Sequence, residues 1–261
     1  MKNYHTHTFR CKHAEGEVGD YMRTAVSRGL SVLGFADHTP LPDNRWLFMR
    51  MGSSALPAYV RAIEDAQQRF PELTILKGME CEWASEYHSY FEDVLLGEYG
   101  LDYLALGCHF YPYSGGWVSS HVDILDAAHL LAYTKHLVES MRSGLFSFVA
   151  HPDLFGLTYR DWDKNTEAAS RDILSTAQEL QLPLEINGNG LINRLVESSQ
   201  GMRVAYPWRP FWELAREYEV TVVVNSDAHH PEFVDQGLAE GLGLVESLGL
   251  TLAKLEYLEG S

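Results

Sequence analysis

Histidine and carboxylate side chains recur in this sequence at spacings that could build a metal site. His5 and His7 stand two residues apart, so an extended backbone directs both imidazoles to the same side. Asp227 and His229 repeat that spacing later in the chain. Imidazole together with carboxylate is the ligand set typical of zinc, manganese or iron, and the 3 cysteines indicate no thiolate cluster. The pattern therefore favours a hydrolytic metal centre with more than one ion.

The candidate ligands share one placement, because each follows the carboxyl end of a predicted strand. These nine residues are His5, His7, His13, His38, Glu80, His109, His151, Asp227 and His229. Histidines that only pack a core have no reason to gather at the same end of five strands, so we predict a shared site. The five other histidines lack this placement and are expected to be structural, although His121 lies in a predicted rim loop where it could touch a substrate.

The elements that must position these residues alternate between short apolar strands and amphipathic helices. Seven strands are predicted, and the most apolar, 220–224, is typical of a parallel sheet covered on both faces. Polar loops are expected after strands, at 38–55, 110–123, 152–165 and 188–208. In a closed β/α barrel such loops share the rim where active sites lie. An open doubly wound sheet is the alternative, but no glycine-rich phosphate loop follows the first strand.

Composition narrows the class of protein. Lys and Arg total 20 against 36 Asp and Glu, and the resulting net charge of −16 argues against binding a nucleic acid polymer. No linker or low-complexity stretch divides the chain, so we predict a single domain over 1–261, with a weak last strand near 254–258. The 3 cysteines cannot form a disulfide framework, and no signal segment or 18-residue apolar run is present. We therefore expect a cytoplasmic protein without a membrane partner.

Short motifs around the candidate ligands occur in order along nearly the whole chain. They are Tyr4-His5-Thr6-His7-Thr8, Cys11-Lys12-His13-Ala14, Ala36-Asp37-His38-Thr39-Pro40, Gly78-Met79-Glu80, Cys108-His109, Ala150-His151-Pro152-Asp153 and Asn225-Ser226-Asp227-Ala228-His229. Together they resemble the motifs of the polymerase and histidinol phosphatase (PHP) family. The Cys-x-His-Ala element and the run Phe48-Met49-Arg50-Met51 are most similar to the stand-alone histidinol-phosphatase branch of that family.

The resemblance implies a distorted (β/α)7 barrel of the PHP type with two to three divalent ions of zinc, manganese or iron. It implies a first ion on His5, His7, Glu80 and Asp227, a second on Glu80, His109 and His151, and a third on His13, His38 and His229. The implied reaction is hydrolysis of a phosphomonoester by a metal-activated water, with L-histidinol phosphate of histidine biosynthesis as the expected substrate. Because the chain carries a charge of −16, we expect the ions to attract the phosphate dianion.

Arginines in the predicted rim loops are the candidates for binding the substrate phosphate, since a guanidinium offers paired N–H donors. Arg160 and Arg194 are the first candidates and Arg50 is the third, although Arg194 comes later in the chain than the family pattern implies. Asp153, close to the predicted ligand His151, could orient an imidazole or protonate the leaving oxygen. The expected partner is a small phosphorylated metabolite, and the sequence indicates no oligomeric state.

Three other functions stay open at this point. A phosphoesterase of the same family that acts on a nucleotide or another small ester would share the ligand set. A non-catalytic, metal-stabilised domain of the kind attached to polymerases would also share it, although these 261 residues include no polymerase segment. An amidohydrolase-type barrel also has His-x-His on its first strand, but it usually needs a lysine bridge where this chain has Glu80.

Overall fold

The computed structural model describes residues 1–259, and these form two compact units. The first unit comprises Met1–Ala105, Asn225–Leu238 and the described residues from Lys254 on, and the second comprises Leu106–Val224 and Ala239–Ala253. A single domain over 1–261 stays a prediction. Across residues 1–259, none of the helices combines the length and the apolar composition needed to cross a bilayer.

The first unit is built on four adjacent strands. They are β1 (Lys2–Asn3), β2 (Val32–Phe35), β3 (Thr74–Glu82) and β4 (Tyr103–Gly107, which enters the second unit at Leu106). Its helices are α1 (Val18–Ser27) and α2 (Leu56–Arg69), with a π-helical segment at Tyr90–Glu98. The pairs β1–β2 and β2–β3 are parallel, so the carboxyl ends of these strands lie at one edge of the sheet.

Local sequence accounts for the elements of the first unit. Helix α1 begins with a capping box, in which Glu17 and Asp20 each accept a backbone N–H of the other. Its apolar side chains recur at helical spacing and are buried. Strand β2 is buried along its whole length, as expected of a parallel strand with neighbours on both sides.

The second unit has eight strands and five helices in the described part of the chain. The strands are β5 (Phe110–Tyr113), β6 (Gly116–Ser119), β7 (Phe148–Val149), β8 (Leu184–Asn187), β9 (Leu195–Ser198), β10 (Gly201–Val204), β11 (Thr221–Asn225, whose last residue belongs to the first unit) and β12 (Thr251–Leu252). The helices are α3 (Ala127–Met141), α4 (Lys164–Leu180), α5 (Gly188–Asn193), α6 (Arg209–Ala215) and α7 (Leu238–Leu248, whose first residue belongs to the first unit). Strands β7, β8, β11 and β12 lie side by side in this order, while β5–β6 and β9–β10 are antiparallel hairpins.

Two segments that the sequence predicts as loops contain hairpins instead. The segment 110–123 holds β5 and β6, and 188–208 holds α5, β9 and β10. Strands of four residues are too short to show a clear alternation of apolar and polar residues in the sequence. The turn between β5 and β6 has positive φ at Ser114 and Gly115, as tight hairpin turns require. The predicted strand near 254–258 was also wrong, because the last strand is β12 and Glu256–Leu258 forms a helical turn.

Candidate metal centre

Two buried asparagines fasten the segment that follows β1 to the segment that follows β11. The Asn225 side chain accepts the backbone N–H of Tyr4 at 2.8 Å, and Asn3 Oδ1 accepts the backbone N–H of Ser226 at 3.1 Å. Asn3 Nδ2 also donates to the Ser226 hydroxyl at 2.7 Å. Each asparagine stands two residues before a predicted ligand, so this pairing brings two distant ligand motifs together. Sequence reasoning missed both, and their only signal was a polar residue beside an apolar strand.

Four predicted ligands meet in the first unit with their donor atoms facing one another. The Nε2 atoms of His5 and His7 are 2.9 Å apart, and His7 Nε2 is 3.0 Å from Asp227 Oδ1. Glu80 Oε2 lies 3.5 Å from His5 Nε2 and 3.6 Å from His7 Nε2. All four side chains are buried. Two imidazole nitrogens and two carboxylate oxygens therefore form a compact donor set that suits a divalent transition metal.

The protonation states in this cluster also suit metal binding. Burial and the neighbouring His229 imidazole lower the pKa of His7 to about 3, so its ring is neutral. Burial alone would raise the pKa of Asp227, but the imidazoles of His5 and His229 outweigh it and hold that pKa well below its usual range. Metal ligands must be neutral imidazoles and ionised carboxylates, so these residues fit a divalent ion.

Three further histidines gather around the same carboxylate and imidazoles. His38 Nδ1 is 3.0 Å from Glu80 Oε2, the oxygen that also faces the first pair of imidazoles. The rings of His13 and His38 stack with centroids 5.3 Å apart, and the His229 ring centroid is 4.8 Å from that of His13. Glu80 Oε2 thus faces the imidazoles of His5, His7 and His38, and the role of Glu80 as a bridge between ions stays a prediction.

The remaining two predicted ligands, His109 and His151, lie in the second unit with ring centroids 4.9 Å apart. Both are buried, and the backbone N–H of His151 donates at 3.0 Å to the carboxylate of Glu185, a buried residue on β8 that sequence reasoning missed. The His121 ring stacks on His109, with centroids 5.3 Å apart and planes 10° apart. The structure brings this predicted pair together, and its membership of a nine-residue site stays a prediction.

The Asp153 carboxyl group is buried in the second unit and is held by two tryptophans. Its Oδ2 accepts the backbone N–H of Trp208 and, at 3.0 Å, the indole N–H of Trp212. Burial raises the pKa of Asp153 to about 7, although these hydrogen bonds oppose the rise. A carboxyl group that titrates near neutral pH can transfer a proton during catalysis.

The two predicted phosphate-binding residues, Arg160 and Arg194, are exposed in the second unit. Arg160 lines a cavity of about 540 Å³ whose walls include Trp162 and Trp208. Arg194 follows α5 and is not part of the cavity lining. The third candidate, Arg50, lies fully buried in the first unit and donates to a backbone carbonyl at 3.0 Å, so its role there is structural.

Arg203 lines the same cavity, and sequence reasoning missed it. Its Nε donates to the Arg160 carbonyl at 3.0 Å, and its Nη1 donates to the carbonyls of Val204 and Ala205. Its Nη2 donates at 2.8 Å to the carbonyls of Gly156 and Arg160. All five N–H groups of the guanidinium are therefore engaged with the backbone, so Arg203 braces the loop that ends at Arg160. Its only sequence signal was the unusual length of the segment 188–208.

Comparison with known proteins identifies a family and relatives to which this chain is similar. The chain matches the family model described as PHP domain over residues 3–189. A probable histidinol-phosphatase from Deinococcus radiodurans is 30% identical, with 94% of this chain and 92% of the relative covered. A probable histidinol-phosphatase from Schizosaccharomyces pombe is 22% identical, with 95% of this chain and 86% of the relative covered.

A solved structure supplies the comparison of folds. It is a histidinol phosphate phosphatase from Lactococcus lactis in complex with zinc, L-histidinol and phosphate. It has a TM-score of 0.76 at 14% identity and covers 98% of this chain and 97% of its own. The predicted PHP-type fold, a distorted β/α barrel, is thereby confirmed, and so is the resemblance inferred from the motifs.

Proposed function

Because the chain belongs to the PHP domain family and is a metal-dependent phosphatase, we propose that its substrate is L-histidinol phosphate, in histidine biosynthesis in the cytoplasm. The observation that carries the proposal is the buried set of imidazoles and carboxylates in the first unit, in a chain similar over 94% of its length to a probable histidinol-phosphatase. The zinc, L-histidinol and phosphate in the Lactococcus lactis structure support the same substrate and a divalent ion.

The proposed metal centre holds two to three divalent ions of zinc, manganese or iron. The proposed ligands are His5, His7, Glu80 and Asp227 for the first ion, with Glu80 shared with His109 and His151 for the second, and His13, His38 and His229 for the third. The contacts of Glu80 Oε2 with His5 and His7 support its place at the first ion, and its contact with His38 shows that the same oxygen also faces a proposed ligand of another ion. When bound, divalent ions neutralise phosphate charge and lower the pKa of water to near 7, which generates the nucleophile of a trinuclear phosphatase.

The second unit is proposed to supply the groups that handle the ester itself. Arg160 is the proposed phosphate contact, because this exposed arginine lines the cavity. Arg194 is the alternative contact. Asp153 is the proposed acid, because a carboxyl group with a pKa of about 7 still holds a proton for the leaving alkoxide near neutral pH.

The substrate assignment is tested by comparing esters. We expect kcat/KM for phosphate release from histidinol phosphate to exceed that for p-nitrophenyl phosphate and for mononucleotides by at least about 100-fold. A substrate that the site binds and positions gains more transition-state stabilisation than a generic ester does. Equal rates for histidinol phosphate and the generic ester would remove this substrate. A preference for nucleotides would favour the second family activity, and purified protein with well under one transition-metal ion per chain would remove the metal centre.

A further inference from the structure

The ring of Tyr103, on β4, occupies a space that two glycines of the neighbouring strands keep open. A Cβ added to Gly34 on β2 or to Gly78 on β3 would overlap the Tyr103 side chain. The ring itself is buried, so it fills the interior side of the first unit's sheet. Nothing larger than glycine fits at either position while Tyr103 keeps this place.

The hydroxyl of Tyr103 reaches the backbone of the far strands. It donates to the carbonyl of Tyr4 at 2.5 Å and lies 3.2 Å from the carbonyl of Phe35 on β2. In a flat sheet β1 and β4 would be three strand spacings apart, about 14 Å, which is more than twice the length of a tyrosine side chain. Strands β1 to β4 must therefore curl around the ring, which lets the hydroxyl reach the Tyr4 carbonyl.

The carbonyls that face this hydroxyl belong to the peptides next to the ligand motifs. The paired residues of β1 and β2 end at Asn3 and Leu33, and a further backbone hydrogen bond runs from Ala36 to Thr6; between these, the Tyr4 carbonyl takes the Tyr103 hydroxyl as a hydrogen-bond donor. The next residue is His5, a proposed ligand. The Tyr4 carbonyl, next to the backbone of His5, is thus bonded by a side chain from β4, in addition to the bond that the Tyr4 N–H donates to Asn225.

We propose that Tyr103 is a positioning residue of the metal centre, whose hydroxyl sets the spacing between the ligand-bearing ends of β1 and β2. The inference rests on the proposed ligands of the first unit but not on the identity of the substrate. Residues outside the ligand set that orient metal ligands typically change metal affinity 10- to 100-fold when they are lost. Tyr103 contacts the backbone beside the proposed ligands and not their side chains. The ligand motifs in the sequence therefore do not identify it.

The test uses Tyr103→Phe, which keeps the ring between the glycines and removes only the hydroxyl. The control is Tyr87→Phe, because Tyr87 is also buried in the first unit and its hydroxyl donates at 2.9 Å to the side chain of Asp43, which is not a proposed ligand. Zinc and manganese affinities of the full chain are measured by competition with a chelator. Urea unfolding of the metal-free protein gives the stability of each variant.

We expect Tyr103→Phe to weaken metal binding about 10-fold or more, while Tyr87→Phe stays within about twofold of the wild type. Unchanged metal affinity in Tyr103→Phe, or equal weakening in both variants, would overturn the inference. If Tyr103→Phe does not fold, Gly34→Ala provides the second variant, because its Cβ displaces the hydroxyl and the same affinity loss is expected. Metal binding is measured without substrate, so failure of wild-type turnover on histidinol phosphate is a separate result.

Discussion

The two units of the chain carry their reactive side chains in different ways. In the first unit five of the seven proposed ligands are buried, with His5 and His7 fully inaccessible and Glu80 2% exposed, while His229 is partly buried and His13 is exposed. In the second unit Arg160 and Arg194 are exposed, and Arg160 lies between loops and a hairpin. Buried, mutually packed donors are fixed before any ligand arrives, whereas exposed side chains on loops adapt to it. The first unit, with seven of the nine proposed ligands, should therefore contribute most to metal retention, to which His109 and His151 of the second unit add, and the exposed arginines of the second unit should determine how an ester is recognised.

The largest effect is expected at Asp227 in the first unit. Asp227→Asn keeps the shape of the side chain and tolerates the φ of 50° at this position, but it removes the carboxylate charge. We expect metal content and kcat to fall by more than about 100-fold, the upper range for residues that only orient ligands, with the fold retained. Metal analysis, circular dichroism and steady-state kinetics measure this.

A control for that substitution is His88→Asn, since His88 lies in the first unit outside the cluster and pairs with Glu92 at 3.7 Å. Its metal content and kcat should match the wild type. If Asp227→Asn unfolds the protein while His88→Asn does not, the cluster is a structural metal site and the contrast between the two units fails.

The next largest effect is expected at Asp153, and measuring it tests whether the second unit takes part in the hydrolysis. Asp153→Asn retains an oxygen that can accept from Trp208 and Trp212 but cannot supply a carboxyl proton. Loss of a general acid typically costs 10²–10⁴ in rate, so we expect kcat on histidinol phosphate to fall about 100-fold with metal content unchanged.

Asp172→Asn is the control in the second unit, because Asp172 is exposed on α4 and does not line the cavity. A second ester with a better leaving group sharpens the result, since it needs less help from an acid and should be less affected by Asp153→Asn. If Asp153→Asn loses metal instead, the residue serves the ligands and not the leaving oxygen.

Sequence alone was sufficient to predict that the seven residues of the first unit's cluster converge, because the motifs that indicate it are short and local. A His-x-His pair and an Asp-x-His pair at strand ends predict convergence through the geometry of parallel strands, and all seven predicted residues of this unit lie near one another. What positions them is not local. The contacts of Asn3 with Ser226 and of Tyr103 with Tyr4 join residues 223 and 99 positions apart, and a single sequence carries no signal of such pairing.

The second unit was predicted less completely for a different reason. Its hairpins lie in segments that look polar and irregular, and the function of Arg203 depends on which carbonyls its guanidinium meets in three dimensions. A residue type and a loop position are enough to propose an arginine as an anion ligand. They do not show whether the guanidinium is already engaged with the backbone, as that of Arg203 is, which is why only the structure separates Arg203 from the proposed phosphate contact Arg160.

A smaller effect is expected at the exposed arginines. Removing a charge-assisted hydrogen bond to phosphate costs about 1.5–3 kcal/mol, so Arg160→Gln should raise KM for histidinol phosphate about 10- to 100-fold with metal content unchanged. Arg194→Gln, at an equally exposed site outside the cavity lining, should stay within about twofold. The reverse ranking would move phosphate recognition to α5, and a drop in metal content in either variant would contradict the division of labour between the units.

The smallest effect on turnover is expected at Arg203, which touches no ligand in this scheme. Lys cannot reproduce five planar N–H donors, so Arg203→Lys should free the carbonyls of Gly156 and Arg160 and cost about 2 kcal/mol of unfolding free energy, measured in urea. The loop that ends at Arg160 would then be less ordered, and KM should rise about threefold while kcat and metal content stay at wild-type values. Loss of kcat or of metal in Arg203→Lys would mean that the hairpin supports the chemistry directly. If KM is unchanged while stability falls, the role of Arg203 is confined to folding. Arg160 would then bind phosphate without needing the contacts of Arg203.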